Sequence, residues 1–162
     1  MTVNNFDCVE SKLISMLKAG PQAAAQLRGS DAYESISGSV KFYKTANGVV
    51  VYAVVTGLPC VNSFNGFHIH EGGSCSGNAD DPFADVMGHY NPKDAAHPNH
   101  AGDLPPLLNN NGNAISLFLT DRFNVEQIIG RTVIIHDKYD DFTTQPSGNS
   151  GKKIACGEIK NC

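Results

Sequence analysis

No stretch of this chain approaches the roughly 20 consecutive apolar residues that a membrane-spanning helix requires. It also has no lysine and arginine stripe. With 12 basic against 16 acidic residues, a formal charge of -4 and a pI near 5.8, it lacks the electrostatic footprint of a nucleic-acid binder. Internal repeats and low-complexity tracts are missing as well, so nothing divides the chain into repeated units. The start, Met1 to Glu10, offers neither the basic residues nor the apolar core of a secretory signal; the expectation is an intracellular protein, or one whose signal was removed before this numbering begins. Histidine is absent from the first 67 residues.

Beyond that point histidine is concentrated. All six lie between positions 68 and 136: His68 and His70 on either side of Ile69, then His89, His97, His100 and His136, with Asp103 three residues after His100. Imidazole and carboxylate suit copper and zinc, and this set is large enough for two ions. In Asn65-Gly66-Phe67-His68-Ile69-His70, small or polar residues alternate with apolar ones. Side chains two apart on a strand share a face, so His68 and His70 can share a metal. Gly88 to Asp103 is too rich in Pro, Gly and Asn for a regular element and reads as a long loop, for which a bound ion supplies the reason. His136 closes the apolar run Val133-Ile134-Ile135, which predicts a buried strand ending at a site. Taken singly, each histidine reads equally as a hydrogen-bonded core or surface residue. Asp103 alone reads as a turn cap, and Asp140-Asp141 as a solvated acidic pair. The grouping is what points to metal.

At 162 residues and 41% apolar content the chain can bury a single core. Val9, Leu13, Ile14 and Leu17 stand at helical spacing over residues 7–18, before Ala19-Gly20-Pro21 ends the helix. This predicts an N-terminal helical extension, 1–22, ahead of one domain, 23–162. Everything after it reads as strand. Ser37 to Lys44 and Val49 to Thr56 flank the hairpin signal Ala46-Asn47-Gly48; Asn113 to Leu119, Thr132 to His136 and Ile154 to Ile159 follow. Short strands between turn residues predict an all-β sandwich or barrel.

Five motifs then stand in a recognisable order: Gly66-Phe67-His68-Ile69-His70-Glu71, Gly88-His89-Tyr90-Asn91-Pro92, His100-Ala101-Gly102-Asp103-Leu104, Ile129-Gly130-Arg131-Thr132-Val133-Ile134-Ile135-His136 and Ala155-Cys156-Gly157. From roughly Gln26 to Ile159 the chain resembles the copper/zinc superoxide dismutases. The resemblance implies an eight-stranded Greek-key β-barrel with long metal-binding loops. It implies copper on His68, His70, His89 and His136, and zinc on His89, His97, His100 and Asp103, with His89 as the bridge. The implied reaction converts superoxide to oxygen and hydrogen peroxide by alternate reduction and reoxidation of copper, His89 taking up a proton while it stays on zinc. Zinc, which has no redox chemistry, orients His89 and orders the loop. Asp140 would accept hydrogen bonds from His68 and His97. A homodimer is compatible with the resemblance.

The chain also departs from the family pattern. The segment between His97 and His100 is very short, which puts zinc affinity in question. Lys153 stands where the family has its anion-guiding arginine. The stretch from Asp140 to Lys153 lacks the mixed charges of many relatives, and the N-terminal extension has no counterpart. Five cysteines leave at least one thiol free or paired between chains. The resemblance pairs Cys75 with Cys156, a bond at odds with a reducing cytoplasm, while Cys60 reads as a small residue at a strand end and Cys8 and Cys162 are left open. Besides the dismutase, two other readings stand: a copper- or zinc-binding storage module on the same fold, and a structural relative without metal. The last predicts eroded ligands, and none is missing.

Overall fold

The computed structural model describes residues 5–59 and 63–162, with residues 5–9 as backbone only. Helix α1 (Asn5–Ala19) covers the expected helical stretch; Leu13, Met16 and Leu17 are half-buried, and the helix stops at Gly20, whose φ of 89° is the left-handed conformation that glycine reaches without strain. Cys60 lies outside the described residues, as does the side chain of Cys8; Cys162 is free and exposed.

The strands are β1 (Ala23–Gly29), β2 (Ser37–Thr45), β3 (Gly48–Thr56), β4 (Ser63–Asn65), β5 (Phe67–His70), β6 (Leu107–Asn109), β7 (Ala114–Thr120), β8 (Thr132–His136) and β9 (Lys153–Asn161), with a one-turn helix α2 (Val125–Ile128) before β8. One antiparallel sheet runs β5-β8-β9-β1-β2-β3-β7, and β4 pairs with β6. Two short links join the two sheets. The turn Asn110 to Asn113 returns β6 into β7, with Asn111 and Gly112 both at positive φ as a tight hairpin turn demands. Gly66 alone separates β4 from β5. Counting that broken course as one, the barrel has the expected eight strands.

Alternation explains the core. Ala23, Ala25 and Leu27 of β1, Val40 and Phe42 of β2, and Val49, Val51, Ala53 and Val55 of β3 point inward and are buried. The expected continuous strand from Asn65 to His70 is a correction: the chain changes partner at Gly66, where a Cβ would stand 2.8 Å from the Ser150 Cβ and 3.3 Å from that of His136. Two strands escaped the sequence reading, β1 because its alanines carry weak strand propensity and β6 because it spans three residues.

Strand β8 is apolar on both faces because both are covered. Val133 and Ile135 enter the barrel core, while Ile134 joins Phe83, Val86, Cys75 and Cys156 in a second cluster beneath the segment after β5. Cys75 and Cys156 are disulfide-bonded across a sequence separation of 81 residues. In the chain-entropy account such a closure stabilises by about 4 kcal/mol. Replacing both cysteines by serine is expected to lower the urea unfolding free energy of the metal-free protein by about that amount. A non-reducing peptide map of the wild type should join the two peptides; two free thiols in fully active protein would contradict it.

Candidate metal centre

His68 and His70 project from β5 opposite Phe67 and Ile69, which fill the core, so alternation delivers both imidazoles to one face. The long segment after β5 then folds back on that strand. Tyr90 donates its N–H to the Ile69 carbonyl (2.8 Å), Ile69 donates to Gly102 (2.9 Å), and Leu104 donates to Phe67 (3.3 Å). Gly102 permits this approach, since a Cβ there would lie 2.2 Å from the Ile69 carbonyl oxygen. His89 is thereby paired opposite His70, and Asp103 opposite His68. His136 arrives at the end of β8.

Two sets of potential ligands result, His68, His70, His89 and His136, and His89, His97, His100 and Asp103; within each, the donor atoms lie within 4.8 Å of one another. His89 belongs to both. The other ring nitrogens show how each imidazole is aimed. His68 donates from Nε2 to Asp140 Oδ2 (2.7 Å), and His97 from Nε2 to the other oxygen of the same carboxylate (2.9 Å). His70 donates from Nδ1 to the Met87 carbonyl (2.8 Å), and His136 from Nδ1 to Gly151 (3.3 Å). This leaves His68 Nδ1, His70 Nε2, His89 Nε2, His97 Nδ1, His100 Nδ1 and His136 Nε2 buried without a hydrogen-bond partner. Orphaned buried nitrogens are costly, and six converging in two sets is the pattern that bound cations relieve. In the second set the conflict is direct. With Nε2–H of His97 given to Asp140, its Nδ1 presents a lone pair to Asp103 Oδ2 at 3.1 Å, two acceptors face to face.

Protonation agrees with coordination. Burial pushes His68 down to about 4 against the opposing hydrogen bond to Asp140, burial and the neighbouring His68 take His136 to about 3, and burial holds His70 well below its ordinary value. These rings are neutral at pH 7, the state that binds metal. For Asp103 and Asp140 burial works to raise the pKa, but imidazole contacts outweigh it and hold both carboxyls below the usual range.

The structure brings His68, His70, His89, His97, His100, Asp103 and His136 together, and Asp140 lies between His68 and His97. Lys153 lines a cavity of about 400 Å³ together with His70, Met87, His89 and His136. Its ammonium, however, sits 2.5 Å from Asp81 Oδ2 and donates to the Phe83 carbonyl at 2.8 Å. Several supports were invisible in the sequence: the carbonyls of Met87 and Gly151, Asn65, which donates to the His136 carbonyl (2.7 Å), and Gly148, where a Cβ would stand 2.0 Å from Asp140 Oδ1. Carbonyl acceptors carry no residue signature. Gly148 could be suspected only as a glycine near Asp140.

An antiparallel barrel carrying two buried histidine sets that share one imidazole defines a binuclear metalloprotein. Residues 36–159 match the family model described as "Copper/zinc superoxide dismutase (SODC)". Among curated relatives, the chain is 33% identical to "Superoxide dismutase [Cu-Zn] 2" of Aquifex aeolicus, over 77% of this chain and 80% of that one. It is 33% identical to "Superoxide dismutase [Cu-Zn]" of Legionella pneumophila, over 76% and 77%, and 37% identical to "Superoxide dismutase-like protein YojM" of Bacillus subtilis, over 58% and 54%. The chain belongs to the copper/zinc superoxide dismutase family, and its cofactors are copper and zinc.

Proposed function

We propose that this protein is a superoxide dismutase, in which His68, His70, His89 and His136 hold copper and His89, His97, His100 and Asp103 hold zinc. The single observation that carries this reading is His89, which belongs to both sets, with Nδ1 at 2.7 Å from Asp103 and Nε2 buried without a partner. All-nitrogen donors suit copper, and the set containing a carboxylate suits zinc. Copper, when bound, supplies one-electron exchange with superoxide. The residues do the rest. His89 gains a proton at Nε2 in one half of the cycle and yields it to the departing peroxide in the other, its Nδ1 staying with the zinc set. Asp140 fixes the tautomers of His68 and His97, so their Nδ1 atoms keep lone pairs for coordination. His70, His136 and Lys153 line the cavity and His68 does not, which supports an approach of superoxide from their side.

The test is superoxide consumption by protein loaded with both metals, measured by pulse radiolysis with and without cyanide as a copper ligand. Turnover that cyanide abolishes supports the reading. Full occupancy without turnover would establish the storage module instead. Residues 1–22 are proposed as an extension to the catalytic domain. A homodimer is proposed as well, since Phe64 and Leu108 form a half-exposed apolar cross-strand pair; sedimentation velocity decides it.

Lys153 is proposed as the guiding cation. Superoxide is a monoanion, and a cation at the cavity raises its encounter rate in a way that salt screens. Lys153→Met is expected to lower the rate several-fold and flatten its ionic-strength dependence, while Lys153→Arg keeps both. Asp81 offsets part of this charge, so Asp81→Asn should raise the low-salt rate. An unchanged salt slope in Lys153→Met eliminates the lysine as guide.

A further inference from the structure

The segment from His97 to Asp103, which carries three of the second set's candidate ligands, is short; within it the His100 N–H is accepted by Asp103 Oδ2 at 2.9 Å, and further anchors come from outside. Arg122, just after β7, places one nitrogen, Nη1, 3.0 Å from the Pro98 carbonyl, 3.2 Å from that of His100 and 3.1 Å from that of Asp103. That nitrogen has two hydrogens, so three acceptors share them. Pro98 follows one ligand, and the other two acceptors are main-chain atoms of ligands themselves. Gln145 treats the remaining ligand alike: its Oε1 accepts the His97 N–H (2.9 Å) and its Nε2 donates to the His97 carbonyl (2.7 Å). Within the loop, by contrast, Asp103 donates to the His100 carbonyl at 3.3 Å and Asn99 to Ala96 at 2.8 Å.

We propose that Arg122 is a positioning residue for zinc, an external clasp that fixes the main chain at His100 and Asp103 and so sets zinc affinity in place of a longer loop. Three carbonyls gathered onto one cation cannot rotate independently, and the side chains they carry inherit that restriction. The inference rests on the reading that this set takes zinc. Its sign separates it from simple electrostatics. Removing a nearby positive charge by itself strengthens the binding of a divalent cation; loss of a clasp weakens it.

The experiment compares wild type, Arg122→Met and Arg122→Lys as full chains with copper bound. Zinc affinity is read by chelator competition, and cobalt(II) placed in the same set reports ligand geometry through its visible bands. Arg122→Met keeps the aliphatic stem and removes the donors. It is expected to lose about 10- to 100-fold in zinc affinity, the range typical of groups that orient ligands, and to alter the cobalt spectrum. Lysine returns one cationic nitrogen with three donors and should recover most of the affinity and the cobalt bands. Copper occupancy equal to wild type shows that the barrel of each variant is folded. Zinc binding in Arg122→Met as tight as wild type or tighter, or no recovery in Arg122→Lys, overturns the clasp. Failure of the wild type itself to take zinc or cobalt in this set would overturn the functional reading instead.

Discussion

His89→Ala is expected to take away most of the activity while leaving a copper site behind. His68, His70 and His136 still converge in the variant, because each is held by its own partner: Asp140, the Met87 carbonyl and the Gly151 carbonyl. What disappears is the ring shared by the two sets. The copper EPR spectrum should then be the same with and without zinc, whereas in the wild type zinc should change it. The rate should fall by about 100-fold or more, the scale on which a positioned proton donor contributes. Elemental analysis should give one copper and one zinc per chain in the fully loaded wild type. A single kind of isolated mononuclear site there would remove the basis of the mechanism.

Asp140→Ala is expected to weaken both metals at once. One buried carboxylate accepts from His68 on one oxygen and from His97 on the other. Without it two buried N–H groups lose their acceptor, at about 1–3 kcal/mol each, and both rings are free to turn their lone pairs away from the metals. Chelator competition should show copper and zinc affinities each lowered by about 10- to 100-fold. Loss for one metal alone would contradict the shared role. The pH dependence has a definite sign. Asp140 is held below the usual carboxylate range by His68, the Phe142 amide and His97, against the effect of burial. Its stabilisation of the metal-free fold is therefore complete above the unfolded value of about 3.9 and is lost as pH falls toward the lower folded one. The stability gap between wild type and Asp140→Ala, measured by urea unfolding, should be constant at neutral pH and close in strong acid.

The candidate ligands were legible because metal chemistry restricts residue type and strand geometry restricts spacing: His68 and His70 two apart, His136 at the end of an apolar run. β2, β3 and β8 were legible for the same reason, since alternation or double-sided burial writes itself into side chains. The Gly66 break was not. Asn65 to His70 alternates correctly for one strand, and only the distant approach of Ser150 and His136 shows why the chain changes partner there. Arg122 and Gln145 were missed on similar grounds, because each acts on main-chain atoms far away in sequence and neither looks different from a surface residue. Lys153 lines the cavity, but its partner Asp81 lies 72 residues earlier, and no local pattern announces the pair.

On the proposed ligand assignment, the carboxylate held in common by His68 and His97 would also make the two metals thermodynamic partners. Whichever ion arrives first fixes the ring on its own side, and with it the orientation of Asp140, so the second ion finds part of its conformational entropy already lost. Such coupling is reciprocal: the factor by which zinc tightens copper equals the factor by which copper tightens zinc, whatever the order of loading. A cell short of one metal would accordingly hold the other less firmly in this protein, and metal scarcity would be felt at both sites through Asp140 as well as through the shared His89.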